Sequence, residues 1–429
     1  MNFKEHLKKY LNDEQINDLI ESFKEEDKHA LLLNTKKITK EKFKKQFPNI
    51  IEHPFVENGF YYDKKEYEFG KHIYHEMGVY YLQEPSAMIV ASLLNAKQND
   101  VVLDMCSAPG GKAIQTALKM ENTGVIIAND LSNQRCSILL NNIERMGISN
   151  TLISNNDFSK IYKNYQNDFD KIILDAPCSG SGMFRKDDKM IADWSIEKVH
   201  RFSLIQKELI DIAFSMLKQG GTLVYSTCSY SYEEDEEVVR FLLEKNEDAK
   251  IIQIEKNDKF YVDKSGLGIH LFPHLFEGEG HYICLISKGD KSENLNETTP
   301  HTRTIESLQN GNKKQFGNTF FSLPIDVKTK GLNIVRYGLK IGELKGKDLI
   351  YSYHLSHSVD YYEHACAIKE GLLGAYVKGE SIPNENNFKN GMILITYNGI
   401  PLSFGKVVNN IIKNHYPNYL RYKSNILTY

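Results

Sequence analysis

From Phe3 to His29 the chain alternates apolar and charged positions at helical spacing, which predicts helix at its start. The stretch "LLLNTKKITKEKFKKQF", Leu31 to Phe47, predicts a short strand and then a lysine-rich helix. From Pro85 the pattern changes. Proline opens a helix in "PSAMIVASLL". Strands follow in "DVVLDMC", "GVIIAND", "TLISNND" and "FDKIILD". The first three are separated by helices in "GKAIQTALKM" and "NQRCSILLNNIERMG", the second closed by Gly147. A long helix from about Ser195 to Lys218 is expected to stop at Gly220-Gly221, before a strand in "TLVYSTC". Strands alternating with helices predict a parallel sheet covered on both faces. The nearly continuous apolar runs agree, because such strands are buried on both sides. After "HYICLISKGD" the segment 291–315 is polar and reads as a linker. From Phe316 short strands and glycine-containing turns return, predicting a small, mostly β unit over 316–429. The expected division is 1–84, 85–290, linker 291–315, and 316–429.

Composition adds a boundary rather than a direction. The 429 residues are 41% hydrophobic and 25% charged, as in an ordinary globular protein. Six cysteines without a C-x-x-C pair are too sparse for a disulfide scaffold and fit free thiols in a reducing compartment. No signal core and no membrane-length apolar run is present, so a cytoplasmic protein is expected. A net charge of -3 disfavours an all-over basic coat and does not exclude a local nucleic-acid footprint.

Candidate chemistry gathers at the strand ends. "LDMCSAPGGKA" follows the first strand of the sheet and opens a helix, so backbone N–H groups and a glycine turn face a ligand. It is not a phosphate loop, because Cys106 and Ala113 stand where glycine and Ser/Thr are needed. It also lacks the spaced glycines of the dinucleotide fingerprint. A nucleoside-bearing ligand without polyphosphate is the better fit. Asp130 ends the next strand and suits two ribose hydroxyls. Asp157 and Asp175 end the following two. Singly, each acid also reads as a cap or turn residue.

Two cysteines, Cys178 in "DAPCSGSG" and Cys228 in "STCS", follow strands in polar, turn-forming flanks and are expected to be exposed at this ligand edge. Cys136, Cys284 and Cys366 read as core, and Cys106 as packed within the glycine turn. A thiolate adding to C6 of a pyrimidine makes C5 nucleophilic, which is covalent catalysis requiring a lowered thiol pKa. A second thiol beside it helps release the adduct. The residues alone do not rank Cys178 against Cys228.

"CSAPGGK", "DAPCSGSGMFRKD" and "VYSTCSYSYEEDEEVV" resemble the motifs of RNA (cytosine-C5)-methyltransferases of the Sun/RsmF group. "YYLQEPSAM", "HLFPHLFEGEGHYICLISK" and "GIPLSFGKVVNNIIKNHYPNYLRY" extend the resemblance over most of the chain, toward bacterial ribosomal RNA enzymes of the RsmF type. The resemblance implies an α/β fold: a class I, Rossmann-like S-adenosylmethionine-dependent methyltransferase core. It adds a small α/β N-terminal RNA-binding-type domain and a mostly β PUA-like C-terminal domain. It implies S-adenosylmethionine as cofactor and cytosine C5 of ribosomal RNA, that of 16S rRNA or the small subunit, as target. A monomer with no metal and no membrane partner is expected. Carried over, Cys106, Ser107, Ala108, Pro109, Gly110, Gly111 and Lys112 line the methionine end of the cofactor. Asp130 binds the ribose with Arg135 nearby, Asp157 lies by the adenine, and Asp175 by the methyl group and target base. Cys228 is then the nucleophile and Cys178 the release thiol. Ser181, Tyr232 and Asp235 depart from the group's usual Glu, Pro and Asn.

A base inside a duplex cannot reach a strand-end thiol, so it must be flipped out or single-stranded. Expected RNA contacts are the C-terminal Lys389, Lys406, Lys413, Arg421 and Lys423, interleaved with Tyr397, Phe404, Tyr416, Tyr419 and Tyr422. Arg185 and Lys186 are further candidates. Lys36, Lys37, Lys40, Lys42, Lys44 and Lys45 form either a solvated helix face or an RNA-facing patch. Three rivals are weaker. An amino-methyltransferase needs an aromatic where Cys178 stands. An idle RNA-binding factor has no use for both thiols. A zinc site at His354, His357 and Cys366 rests on a common spacing.

Overall fold

The computed structural model describes residues 3–185, 188–290, 312–421 and 428. Lys186, Tyr422, Lys423 and most of the expected linker lie outside the described residues.

The chain begins with helices Phe3–Leu7 and Asp13–Ser22, the second opened by a capping box between Asn12 and Gln15. Strands β1 (His29–Leu33), β2 (Ile51–Glu52), β3 (Gly59–Tyr62) and β4 (Tyr80–Gln83) pair antiparallel in the order β2-β3-β1-β4. The central sheet contains β5 (Val101–Asp104), β6 (Val125–Asn129), β7 (Thr151–Ser154), β8 (Phe169–Asp175), β9 (Leu217–Thr227), β10 (Ala249–Ile252), β11 (Ile269–His270) and β12 (Tyr282–Lys288). Its order is β10-β12-β9-β8-β5-β6-β7, with β11 beside β12. Strands β5 to β9 run parallel and β12 returns antiparallel against β9. The chain leaves β5 first toward β6 and β7, then toward β8 and β9. The crevice at that reversal, outside the carboxyl ends of β5 and β8, is where open α/β sheets bind ligands. Ile126, Ile127, Ile172, Ile173, Leu223 and Val224 are fully or almost fully buried, divided between two cores on opposite faces.

Three features differ from the local sequence pattern. Strand β9 starts at Leu217, ahead of the Gly220-Gly221 pair, and a register shift opposite Phe169 and Lys171 absorbs the irregularity. Strand Asn312–Phe316 begins within the expected linker. Ile334–Tyr337, expected in a separate C-terminal unit, pairs antiparallel with β7 and completes the nine-stranded central sheet. An exposed parallel edge at β7 leaves unpaired backbone groups, and this strand covers it.

The remaining C-terminal chain forms a four-stranded sheet built on Thr319–Leu323 and Leu339–Lys345, and a five-stranded sheet built on Gly391–Tyr397 and Ile400–Val408. The five-stranded sheet shares one hydrophobic core with the N-terminal sheet. Leu31, Phe43 and Phe60 pack in the same cluster as Tyr376, Ile393, Ile395 and Tyr416.

Candidate active site

Asp104 ends β5, and the chain turns through residues 105–110 into helix Gly111–Lys119. The Met105 N–H donates to Ile173 O at 3.0 Å and the Ser107 N–H to Asn129 O at 2.7 Å, tying the turn to both neighbouring strands. Gly110 has φ +110°, and a Cβ there would lie 2.7 Å from Leu139 Cδ1. A Cβ on Gly111 would lie 2.9 Å from Gln83 Cδ. Glycine at both positions keeps the helix N-terminus open, and no side chain caps its first N–H groups. Asp104 is buried with neither carboxylate oxygen hydrogen-bonded. Burial raises its carboxyl to about 7, against the nearby Ser107 hydroxyl and then Lys112, and with Asp175.

Asp130 follows β6 and is also buried. Its Oδ1 accepts from the Ser132 N–H at 2.9 Å, while Oδ2 lies 3.3 Å from Arg135 Nη1 without a hydrogen bond. Arg135 also donates to Ala108 O, which draws the glycine turn and Asp130 together. The next side chain, Leu131, is 72% exposed, an apolar surface beside a carboxylate. Asp157 caps helix Phe158–Ile161, accepting from the Ser159 N–H at 3.1 Å and hydroxyl at 2.6 Å. The Ser159 hydroxyl leads in holding its carboxyl below the usual range.

Parallel β8 and β9 carry the two thiols to one place. Their register sets Asp175 opposite Ser226, so Cys178 and Cys228 emerge side by side with Sγ atoms 3.2 Å apart. Both are half-buried rather than fully exposed, because their loops lock onto each other. The Gly182 N–H donates to Cys228 O at 2.7 Å, and the Tyr230 N–H to Ser181 Oγ at 2.7 Å. Buried Glu234 accepts from the Ser179 N–H at 2.8 Å, the Ser229 hydroxyl at 2.6 Å and Gln206 Nε2 at 3.1 Å. The Ser179 hydroxyl donates to it as well. Beside the thiols, Lys112 Nζ donates to Asp175 Oδ2 at 2.8 Å and the Ser226 hydroxyl to Oδ1 at 2.7 Å. Burial opposes the charge on Asp175, but Lys112 and then His281 hold its carboxyl well below the usual range.

The thiols differ in one direction. A hydrogen bond from Cys178 leads in lowering the Cys228 thiol, against burial and with the pull of His281 and Lys112. The same bond leads in raising Cys178 well above its ordinary value. The opposite shifts favour Cys178 as the donor in this contact and Cys228 as the more acidic thiol. Burial pushes the Cys106 thiol up, and Cys136, Cys284 and Cys366 are buried.

Known proteins resemble this chain in sequence and fold. Residues 91–287 match the family described as 16S rRNA methyltransferase RsmB/F. Residues 1–85 match the N-terminal domain of 16S rRNA methyltransferase RsmF, and 366–422 the methyltransferase RsmF PUA domain. The ribosomal RNA small subunit methyltransferase F of Vibrio campbellii is 30% identical, over 93% of this chain and 92% of its own. The chain belongs to the RsmF family. It is an RNA methyltransferase of the RsmB/F class. A tRNA (cytosine(49)-C(5))-methyltransferase of Pyrococcus abyssi is 41% identical over 54% of this chain and 77% of its own. The crystal structure of a methyltransferase homologue from Pyrococcus horikoshii has a TM-score of 0.56 at 27% identity, covering 66% of this chain and 93% of that one.

Against the RsmF family pattern, two of the departures, Ser181 and Asp235, prove to be buried contacts, and Tyr232 makes a surface one. Ser181 receives the Tyr230 N–H, and Asp235 accepts the Thr227 hydroxyl at 2.6 Å. Tyr232 packs against Arg240, whose guanidinium donates to its hydroxyl at 2.6 Å. Several expected RNA contacts are otherwise employed. Arg185 is buried, donating to Gly278 O at 2.9 Å and lying 3.4 Å from Glu279. Tyr397, Phe404 and Tyr416 fill cores, whereas Tyr419, Lys389 and Lys413 are exposed. Lys406 faces Asp348 at 3.7 Å. Arg421 is partly buried against Gly379. In the lysine-rich helix region, Lys36 pairs with Glu121, Lys40 and Lys44 with Glu52, and Lys37 donates to His357 O. His354 and His357 are buried against the carbonyls of Ile148 and Leu402. Asp104, Leu131, Glu84 and His281 lie beside the expected site residues and sequence reasoning passed over them. Asp104 already ended the strand quoted for the turn, and the others gave no signal without the register of the sheet.

Proposed function

We propose that the protein methylates C5 of cytosine in ribosomal RNA of the small subunit, using S-adenosylmethionine and a covalent bond from Cys228 to C6 of the base. The observation that carries this reading is the Cys178–Cys228 pair at 3.2 Å, at the strand ends beside the Lys112–Asp175 ion pair and the glycine turn. The residues present fit the cofactor. Asp130, with one oxygen not hydrogen-bonded, suits a ribose diol, and exposed Leu131 beside it suits a base face. The unbonded oxygens of Asp104 suit an ammonium group, and the open start of helix Gly111–Lys119 suits a carboxylate. When bound, the cofactor supplies an electrophilic methyl group. Cys228 adds its sulfur to C6, and the electrons of the 5,6 double bond make C5 nucleophilic. After C5 is alkylated, a base takes the C5 proton, the C–H electron pair restores the 5,6 double bond, and the C6–S pair leaves on the Cys228 sulfur. Cys178, held as the protonated thiol, is placed to assist that release. Exposed Lys389, Lys413 and Tyr419 are the C-terminal residues best placed to meet RNA.

The test pairs two variants with labelled S-adenosylmethionine and small-subunit RNA. Wild type should form 5-methylcytosine. Cys228→Ala should form none, and Cys178→Ala should leave a protein–RNA adduct that survives a denaturing gel. Retained activity in Cys228→Ala refutes the nucleophile. Labelling at another atom refutes the target.

A further inference from the structure

We propose that His281 is a positioning residue of the methyl-transfer site: as a doubly protonated imidazolium it lies between Glu84 and Asp175 and sets the charge of Cys228. Its place follows from topology. Strand β12 pairs antiparallel with β9, with Tyr282 opposite Thr227, so His281 stands opposite Cys228 one position further.

The Nδ1 proton follows from hydrogen bonds, and the Nε2 proton from the carboxylate that nitrogen faces. Glu84 accepts from the N–H groups of Ser86 at 3.0 Å, Ala87 at 2.7 Å and Glu279 at 2.7 Å, so it is an ionised acceptor. The single hydroxyl proton of Ser86 is given to Glu84 Oε2 at 2.5 Å. Ser86 Oγ therefore only accepts from its other neighbours. These are the Gly280 N–H at 3.2 Å and His281 Nδ1 at 3.2 Å, so Nδ1 carries a proton. The other ring nitrogen, Nε2, lies 3.7 Å from Asp175 Oδ1. A neutral ring would aim a lone pair at that carboxylate, and an imidazolium aims an N–H. Nδ1 is also 3.9 Å from Glu84 Oε2, which adds a second negative neighbour.

The charged and titratable groups around the ring are Glu84 after β4, Asp175 at the end of β8, Lys112 on the helix after β5, and the two thiols after β8 and β9. Glu279, two residues before the ring, pairs instead with Arg185. Lys112 and His281 are thus the two cations that approach Asp175. They approach Asp175 through different oxygens, Oδ2 and Oδ1. Removing one leaves the carboxylate less compensated and the adjacent thiolate less favoured.

The inference rests on the reading of Cys228 as the nucleophile, but its test reads the thiol and not methyl transfer. Full-length protein is alkylated with iodoacetamide across the pH range, and modification at Cys228 is followed by mass spectrometry. In His281→Gln the titration midpoint of Cys228 should rise by about one pH unit, a roughly tenfold slower alkylation below the midpoint. His281→Lys, which keeps a cation there, should titrate like wild type. An unshifted midpoint in His281→Gln overturns the proposal. If that variant does not fold, an upward shift in His281→Lys overturns it instead. A wild-type protein that alkylates as expected but fails to methylate RNA sinks the function and leaves this inference standing.

Discussion

A buried acid with no hydrogen-bond partner is unusual enough to carry a pH signature. Asp104 is 1% exposed, and burial raises its carboxyl to about 7. An unfolded aspartate titrates near ~3.9. The folded state therefore holds the proton more tightly. The stability this gives is fully present below the unfolded value and is lost as pH climbs from ~4 toward ~7. Ligand-free wild type should be less stable at pH 8 than at pH 5, by on the order of 2–4 kcal/mol from this group alone. Asp104→Asn should remove that share of the slope, read by denaturant unfolding at both pH values. Equal stability differences between wild type and variant at the two pH values would show that Asp104 is already ionised in the fold. Asp104 and His281 share a reason for being overlooked in the sequence. Each adjoins an apolar strand, where a lone polar residue reads as a terminus. Only pairing with the neighbouring strands places Asp104 by the turn and His281 by Cys228.

The two thiol loops work as one element because backbone, not side chain, joins them. Gly182 donates to Cys228 O, and a Cβ on Gly182 would sit 2.8 Å from that same oxygen and 2.9 Å from Gly280 O. Real Cβ atoms do not approach backbone so closely, so one loop must move. Gly182→Ala should separate the sulfurs, lower methyl transfer by about 10²-fold because misplacement of about 1 Å costs that much, and slow Cys228 alkylation. Unchanged alkylation with unchanged turnover would show that the loops adjust without parting. At this scale the sequence is informative. The strands β5 to β8 are near-continuous apolar runs ended by acids or polar turns, and each lies where the pattern puts it, whereas β9 starts ahead of its expected glycine pair. The covering strand Ile334–Tyr337 is not legible, since its partner β7 lies about 180 residues earlier and no local period records a partner. The aromatics near the C-terminus are similarly ambiguous. A tyrosine that stacks on a base and one that fills a small core share the same flanks, and burial alone separates Tyr416 from Tyr419.

Across the whole molecule, the units that flank the central sheet are one body. β1 and the five-stranded C-terminal sheet fill a single core, in which Leu31, Phe43, Ile395 and Tyr416 are all fully or almost fully buried. Polar contacts reinforce it. The Tyr353 hydroxyl donates to Glu76 O at 3.1 Å, and the Asn398 side chain to Tyr74 Oη at 3.3 Å. Strand β4 runs from this core straight into Glu84 and Ser86, which hold His281. The far C-terminal sheet is thereby linked to the site by a continuous run of packed residues, and coupling between the two is a prediction. Ile395→Ala removes a buried side chain from the shared core and should cost about 2–5 kcal/mol. If the core is truly common, the loss is felt on the other side of it. Amide exchange in His29–Leu33, within β1, should accelerate in the variant along with exchange in Gly391–Tyr397, and the calorimetric transition for the two should stay single. Protection of β1 that survives Ile395→Ala intact, while the C-terminal sheet loosens, would mean that two separately stable domains merely touch, and that the C-terminal sheet has no mechanical hold on the thiol site.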